Sequence, residues 1–168
     1  NIMIFASDRP GTTGGLDLFI TMKDGETWSD PRNLGEEINS LSDELYPYLD
    51  AGNNLFFSSD TEGGSGGYDI YICRFDGSNW LKPVNLSPEI NTANDDIAFT
   101  MGGAENNRAF YTVRSPSSNN EMQLFRIMPE PGNDAVAGLS LSATLTGMVL
   151  KDDLEREKTI AFTPSLPV

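Results

Sequence analysis

The chain has 168 residues, 38% hydrophobic and 10% aromatic, which is enough for one domain with a core and too apolar for a disordered acidic tail. Its 25 acids against 11 bases leave a net charge of −14, which argues against nucleic acid and anionic lipid, since both are bound through cations. With no His and one Cys, the chain lacks Ser-His-Asp and Cys-His catalysis, the commonest zinc ligand and any internal disulfide, and no apolar run is long enough to span a membrane.

The chain opens on NIMIFASD, which does not begin with Met and does not read as a signal peptide, and is expected to be an excerpt of something longer. From Ala6 to Trp28 it reads ASDRPGTTGGLDLFITMKDGETW. From Ser58 to Trp80 it reads SSDTEGGSGGYDIYICRFDGSNW, and the two Trp residues fix a period of 80 − 28 = 52. Over Phe5–Asp43 against Phe57–Asp95, 18 of 39 positions are identical without a gap. A period of this size marks a solenoid, a propeller or an array, and a unique catalytic loop would not be duplicated in this way.

The second copy is complete enough to divide into strands. LYPYLDA from Leu45 and LFFSSD from Leu55 flank GNN as a tight hairpin. YDIYICRF, Tyr68 to Phe75, is a third strand rich in β-branched and aromatic residues, and it holds Cys73 as a buried, inert thiol. Asp76 and Gly77 open a turn, as Asp24 and Gly25 do one copy earlier, and NWLKPVNL, Asn79 to Leu86, is the fourth strand. Pro83, like Pro31 before it, places that strand on an outer edge, because proline cannot donate to a ladder. The two middle strands are nearly continuously apolar, so both faces of the sheet are expected to be covered.

The segment from Gly35 to Glu44 must then cross about three strand spacings, roughly 14 Å, to begin the next sheet. Extended, it reaches about 30 Å. Its Ile-Asn pair, Ile38 and Asn39, recurs as Ile90 and Asn91 and is expected to plug the junction between sheets.

A third, degraded copy follows, with IAFTMGGAENNRAFYTV as a hairpin and NEMQLFRIM, Asn120 to Met128, as its third strand; Gln123 replaces the repeated Asp. MPEPGNDAVAGLS then loses the repeat marks, and SATLTGMVLKDD begins a fresh strand. The expected fold is all-β: a partial β-propeller of four-stranded antiparallel blades, about two and a half of them, followed by the start of a small β domain. Repeats fill residues 1–130, a linker 131–141 and the new domain 142–168.

Phe-x-Ser-Asp, the Gly-rich turn with Gly14-Gly15-x-Asp17 and Gly66-Gly67-x-Asp69, and Asp-Gly-x-x-Trp-x-x-Pro-x-Asn-Leu ending in Ile-Asn resemble the WD40-like, TolB-type propeller repeats. They look most like the version in envelope proteins of Bacteroidota. There the propeller sits among tetratricopeptide repeats, a carboxypeptidase-regulatory-like β domain and an OmpA-like peptidoglycan-binding domain. ATLTGMVLKDD is similar to the opening strand of that regulatory-like domain. The resemblance implies a periplasmic, outer-membrane-associated protein that binds protein partners in the cell envelope, as accessories of type IX secretion do. Peptidoglycan would be bound only through domains not in this chain.

The functional expectation is a non-enzymatic binding or scaffold propeller without cofactor and without catalytic residues; the alternative is a glycan-processing or glycan-binding propeller with acids in its loops. KDGETW is one residue short of the sialidase Asp box, and the prominent acids, Asp17/Asp69 and Asp24/Asp76, are duplicated turn residues. Calcium could use Asp8, Asp17, Asp60 and Asp69, one at each end of a Gly-rich loop. Set against that reading, Asp17 and Asp69 would accept their own loop's amides, with Gly64, Gly66 and Gly67 giving the bend. The structural repeat motif is Gly15, Asp17, Asp24 and Trp28 with Gly67, Asp69, Asp76 and Trp80. Trp80 is expected between blades, and a functional face where the copies differ, at Arg9–Thr13 against Thr61–Ser65.

Overall fold

A computed structural model describes residues 1–86, 88–102, 108–129, 142–148 and 156–161, with side chains as far as residue 127. Its strands form three antiparallel sheets. In the first, β1 (Ile2–Ser7) pairs with β2 (Asp17–Asp24), which also pairs with the short β3 (Thr27–Trp28) and β4 (Arg32–Asn33). The second runs in chain order through β5 (Glu44–Leu49), β6 (Asn54–Ser59), β7 (Asp69–Arg74) and β8 (Val84–Asn85). The third holds β9 (Asp95–Gly102), β10 (Arg108–Ser115), β11 (Glu121–Pro129), β12 (Ser142–Met148) and β13 (Arg156–Ala161). Thus β1, β2 and β4 fall on the sequence positions of β6, β7 and β8 one period later.

The alternation of side chains along each strand sorts the core into two layers. Leu55, Phe57 and Cys73 of the second sheet join Leu18 of the first and Ile38 of the connecting segment. Phe56, Ile70 and Ile72, one residue out of phase, join Phe99, Tyr111, Val113 and Ile127 of the third. The second sheet is therefore covered on both faces, as its apolar middle strands require. Each fully buried Leu, Ile or Phe contributes about 1.5–3 kcal/mol, so these layers dominate what holds the sheets together. Ile38 and Ile90, 4% and 3% exposed, each enter the layer beside their segment, where junction plugs were expected.

One expectation needs correction. The fourth strand of the repeat is not NWLKPVNL: only Val84–Asn85 joins the ladder, with an isolated bridge from Phe75 to Trp80, because the turn after Asp76 and then Pro83 withhold the residues between. The expected GNN hairpin joins β5 to β6 and is held by Asp50, whose Oδ1 accepts the amides of Gly52 and Asn54 while Asn53 turns left-handed at φ 62°. The loop before Asp69 bends through residues 64–68, which include Gly64, Gly66 and Gly67, and turns left-handed at Gly63, φ 92°.

The inner strands of the second and third sheets carry the same irregularity. The β5–β6 register shifts between Leu45 and Tyr48, and the β9–β10 register shifts between Phe110 and Thr112. At these bulges Tyr46 and Ala98, one period apart, adopt φ 53° and 58°. Beyond β11 the hydrogen-bonded sheet continues: β12 pairs with β11 and β13 with β12, across the boundary expected at residue 142. The linker expected at 131–141 lies outside the described residues.

Candidate functional site

The recurring polar residues converge at the end of each sheet where the Gly-rich loop meets the following sheet. In the first copy Asn39 is 1% exposed; its Oδ1 accepts the amide of Leu18, and its Nδ2 donates to the Leu18 carbonyl and to Asn33 Oδ1. Asn33 in turn donates from Nδ2 to Asp17 Oδ2 at 2.7 Å, and Asp17 accepts the amides of Thr13 and Gly14. The second copy repeats this chain through Asn91, Asn85 and Asp69, whose Oδ2 accepts the Ser65 amide. The network ties the segment after the last strand to the β2 or β7 backbone and satisfies amides that burial would leave unpaired.

A second repeated device joins neighbouring sheets. The amide of Gly15 donates to the Ser42 carbonyl, Leu16 donates to Asp43 Oδ1, and Glu44 donates back to the Leu16 carbonyl. One period later Gly67, Tyr68, Asn94, Asp95 and Asp96 make the same three bonds. A Cβ on Gly15 or Gly67 would overlap the carboxylate of Asp43 or Asp95, and one on Gly14 or Gly66 would overlap the backbone of the next sheet's lead-in. The paired glycines are there for close approach, which explains why they recur although neither bends left-handed. At the second junction Asp95 is also held by Arg114, with Nη2 2.8 Å from Oδ2.

The remaining singled-out residues separate by role. Asp76 Oδ1 caps its turn by accepting the amides of Ser78 and Asn79, which holds its acid below the usual range; Asp24 occupies the equivalent turn, its carbonyl accepting the Thr27 hydroxyl. Asp60 is exposed and accepts the Asp43 amide, and Asp8 is exposed at the matching place. Among the described residues no three His, Cys, Asp or Glu side chains group as a metal site. Trp80 packs on Phe75 with ring centroids 5.2 Å apart and joins the layer between the first two sheets, whereas Trp28 is 46% exposed. In the variable loops, the Arg9 guanidinium lies 4.7 Å over Phe5, a position with Thr61 in the second copy. Comparison of the chain with protein-family models, curated proteins and solved structures finds no match.

At the opposite end of the first junction lies an open groove of about 350 Å³, walled by Ile2, Ile20, Met22, Phe75 and Trp80, with the exposed Arg32 beside it. A cavity of about 270 Å³ runs beneath the first connecting segment and reaches Glu44 and Tyr71.

Sequence reasoning missed two buried acids, Glu44 and Asp96, which are one period apart. Glu44, 1% exposed, accepts the hydroxyls of Ser40 and Ser59 and the Ser40 amide; burial, partly offset by these bonds, raises its acid. Asp96 is fully buried with Oδ1 unpartnered, because Val113 stands where Ser59 serves Glu44. Burial, with the charges of Asp69 and Asp95, pushes it up to about 7. Their position opposite a strand-end residue was the available signal, hidden among 25 acids.

Proposed function

We propose that the three sheets are consecutive blades of a larger β-propeller that acts as a non-enzymatic scaffold, binding protein partners in the bacterial cell envelope on the periplasmic side of the outer membrane. The observation that carries this reading is the junction device, made twice from equivalent residues with the same three backbone-directed bonds. The recurring Asp17, Asp69, Asp43 and Asp95 are engaged in holding loops and junctions, and the loops at Arg9–Thr13 and Thr61–Ser65 share only one glycine between copies. The resemblance to envelope proteins of Bacteroidota is what supports setting such a scaffold beside type IX secretion, with peptidoglycan contact left to domains outside this chain. Among the described residues no helix is long and apolar enough to cross a membrane.

The test is photo-crosslinking in intact cells from positions 10, 12, 61 and 63 of the native protein. The scaffold reading expects discrete protein adducts that change between the two loops. Recovery of glycan adducts alone, or turnover of a glycan substrate by the purified chain, would replace it with the glycan reading.

A further inference from the structure

The two junctions share their backbone-directed bonds but not their charge. At the second, Asp95 of β9 stands directly opposite Arg114 of β10. The guanidinium reaches Asp95 Oδ2 through both Nε and Nη2, each at 2.8 Å, while Oδ1 keeps the Tyr68 amide. At the first junction the same two places hold Asp43 and Asp60, each one step beyond the Glu44–Ser59 pair that matches Asp96 and Val113. A second acid has taken the place of the cation.

Only neutral donors meet this pair. Asp43 Oδ1 accepts the Leu16 amide, its Oδ2 accepts the Tyr68 hydroxyl at 3.1 Å, and Asp60 Oδ1 accepts the Asp43 amide at 2.9 Å. Burial, and then the charges of Asp60 and Asp43, push the Tyr68 hydroxyl up to about 12, so it stays a donor near neutrality. Among the described residues no Lys or Arg forms an ion pair with either acid. Like charges at facing places of a ladder work against folding, and the Asp43 amide needs only an acceptor, which a neutral Asn would supply. The charge at position 60 is therefore not explained by the fold. Asp60 is exposed, with Asp43 and Tyr68 partly so, and a group arriving from solvent can reach all three. Beside them Leu41 is 85% exposed on a backbone set closely against Gly14, where the second junction has only Ala93.

We infer that Asp43 and Asp60 form a seat for an arginine carried by a protein partner, whose guanidinium takes from outside the place that Arg114 takes from within, and whose apolar neighbour lies on Leu41. The guanidinium that Asp95 already holds is the observation that identifies the ligand chemistry. A planar fork of donors can serve two carboxylates at once, and bonds between ionised partners are the stronger class. The chain's net charge of −14 favours encounter with a basic segment. This inference deepens the scaffold reading by naming the chemistry of the partner, and it rests on that reading for the partner's being a protein.

The probe is the capped tripeptide acetyl-Leu-Arg-Leu-amide, titrated into the isotope-labelled full chain while amide shifts are followed by NMR. Saturable shifts are expected at Gly15, Leu16 and Asp43, with Asp95 and Asp96 unmoved because Arg114 already fills the second junction. Acetyl-Leu-Glu-Leu-amide should bind at least roughly tenfold more weakly, the worth of a charge-assisted bond, and about 0.5 M salt should weaken the arginine peptide severalfold. Asp60→Arg, which supplies the cation from within, should abolish binding, and Asp60→Asn should weaken it roughly tenfold. The peptide comparison leaves the protein untouched, so a misfolded variant would not obscure the answer. Absence of binding, equal binding of the Glu peptide, or binding that survives Asp60→Arg would overturn the assignment. So would calcium chloride moving the same amides at lower concentration than the peptide, since a metal would then be the occupant. If this titration fails while the loop crosslinks still recover proteins, the seat alone falls; if it succeeds while no protein is recovered, the seat stands for a guanidinium and the scaffold reading falls.

Discussion

The carboxylate of Asp95 occupies the space that a side chain on Gly67 would need, while its Oδ1 accepts the amide of the next residue, Tyr68. Gly15 and Asp43 stand in the same relation one period earlier. Gly67→Ala should therefore destabilise the protein by roughly 2–3 kcal/mol, the cost of overpacking plus a displaced charged hydrogen bond. Gly77→Ala, in open space at φ 100°, should cost only about 1–2 kcal/mol of backbone strain. Urea unfolding of both variants tests the ranking; equal losses would mean that the contact with Asp95 relaxes freely.

Asn91 engages the amide and carbonyl of Ile70, the Leu86 carbonyl and the Asn85 side chain, all from a residue 1% exposed. Asn91→Ala leaves the Ile70 amide without its acceptor and takes a donor from two carbonyls, of which that of Ile70 keeps the Leu86 amide, and should cost about 2–4 kcal/mol; Asn91→Asp should be no milder, because a carboxylate cannot donate to the two carbonyls. Thermal melts of the two variants check this, and a mild Asp variant would show that the donor half of the network is dispensable.

Asp96 gives the protein a pH-dependent stability of definite sign. Its acid lies at about 7 when folded against 3.8 as an ordinary side chain, so over that interval the folded state holds the extra proton. The contribution is most favourable below the lower value and declines as pH rises through the upper one, by up to about 1.4 kcal/mol per pH unit in between. Asp96→Asn should flatten that part of the profile. Val113→Ser, which restores the hydroxyl found beside Glu44, should lower the acid and shift the decline to lower pH. Denaturant midpoints across the interval measure both, and an unchanged slope in Asp96→Asn would assign the dependence to other groups.

Cys73 is 1% exposed and burial pushes its thiol up to about 12, so little thiolate forms near neutrality. A thiol reagent should label it at the rate of unfolding in buffer and rapidly in denaturant. Fast labelling of the folded chain would mean that the layer between the first two sheets opens locally.

Much of the architecture was legible because the repeat supplied a second reading of each residue. Apolar runs such as DLFITM and DIYICR are β2 and β7, and in β7 the lack of alternation marked a sheet covered on both faces. The fourth strand was over-read because NWLKPVNL has strand-forming residues, while the turn at Asp76 and the proline decide how many reach the ladder. The glycine pairs lie in the bend, but their close approach to the next sheet was not legible, because that need arises from a neighbouring sheet, which no local pattern displays. The pairing of Asn33 with Asn39 and of Asn85 with Asn91 was visible only as identity between copies. The burial of Glu44 and Asp96 was hidden because an acid beside other acids reads as surface.

Each junction is assembled from two different copies of the repeat: the glycine pair comes from one, and the carboxylate with its returning amide from the next. Within the span where the 52-residue period holds, removing or repeating one period therefore leaves the parts of each joint matched, whereas a change of a few residues in one copy strands half a joint. The unit that preserves the fit between sheets is the period itself, cut at equivalent points of the two copies.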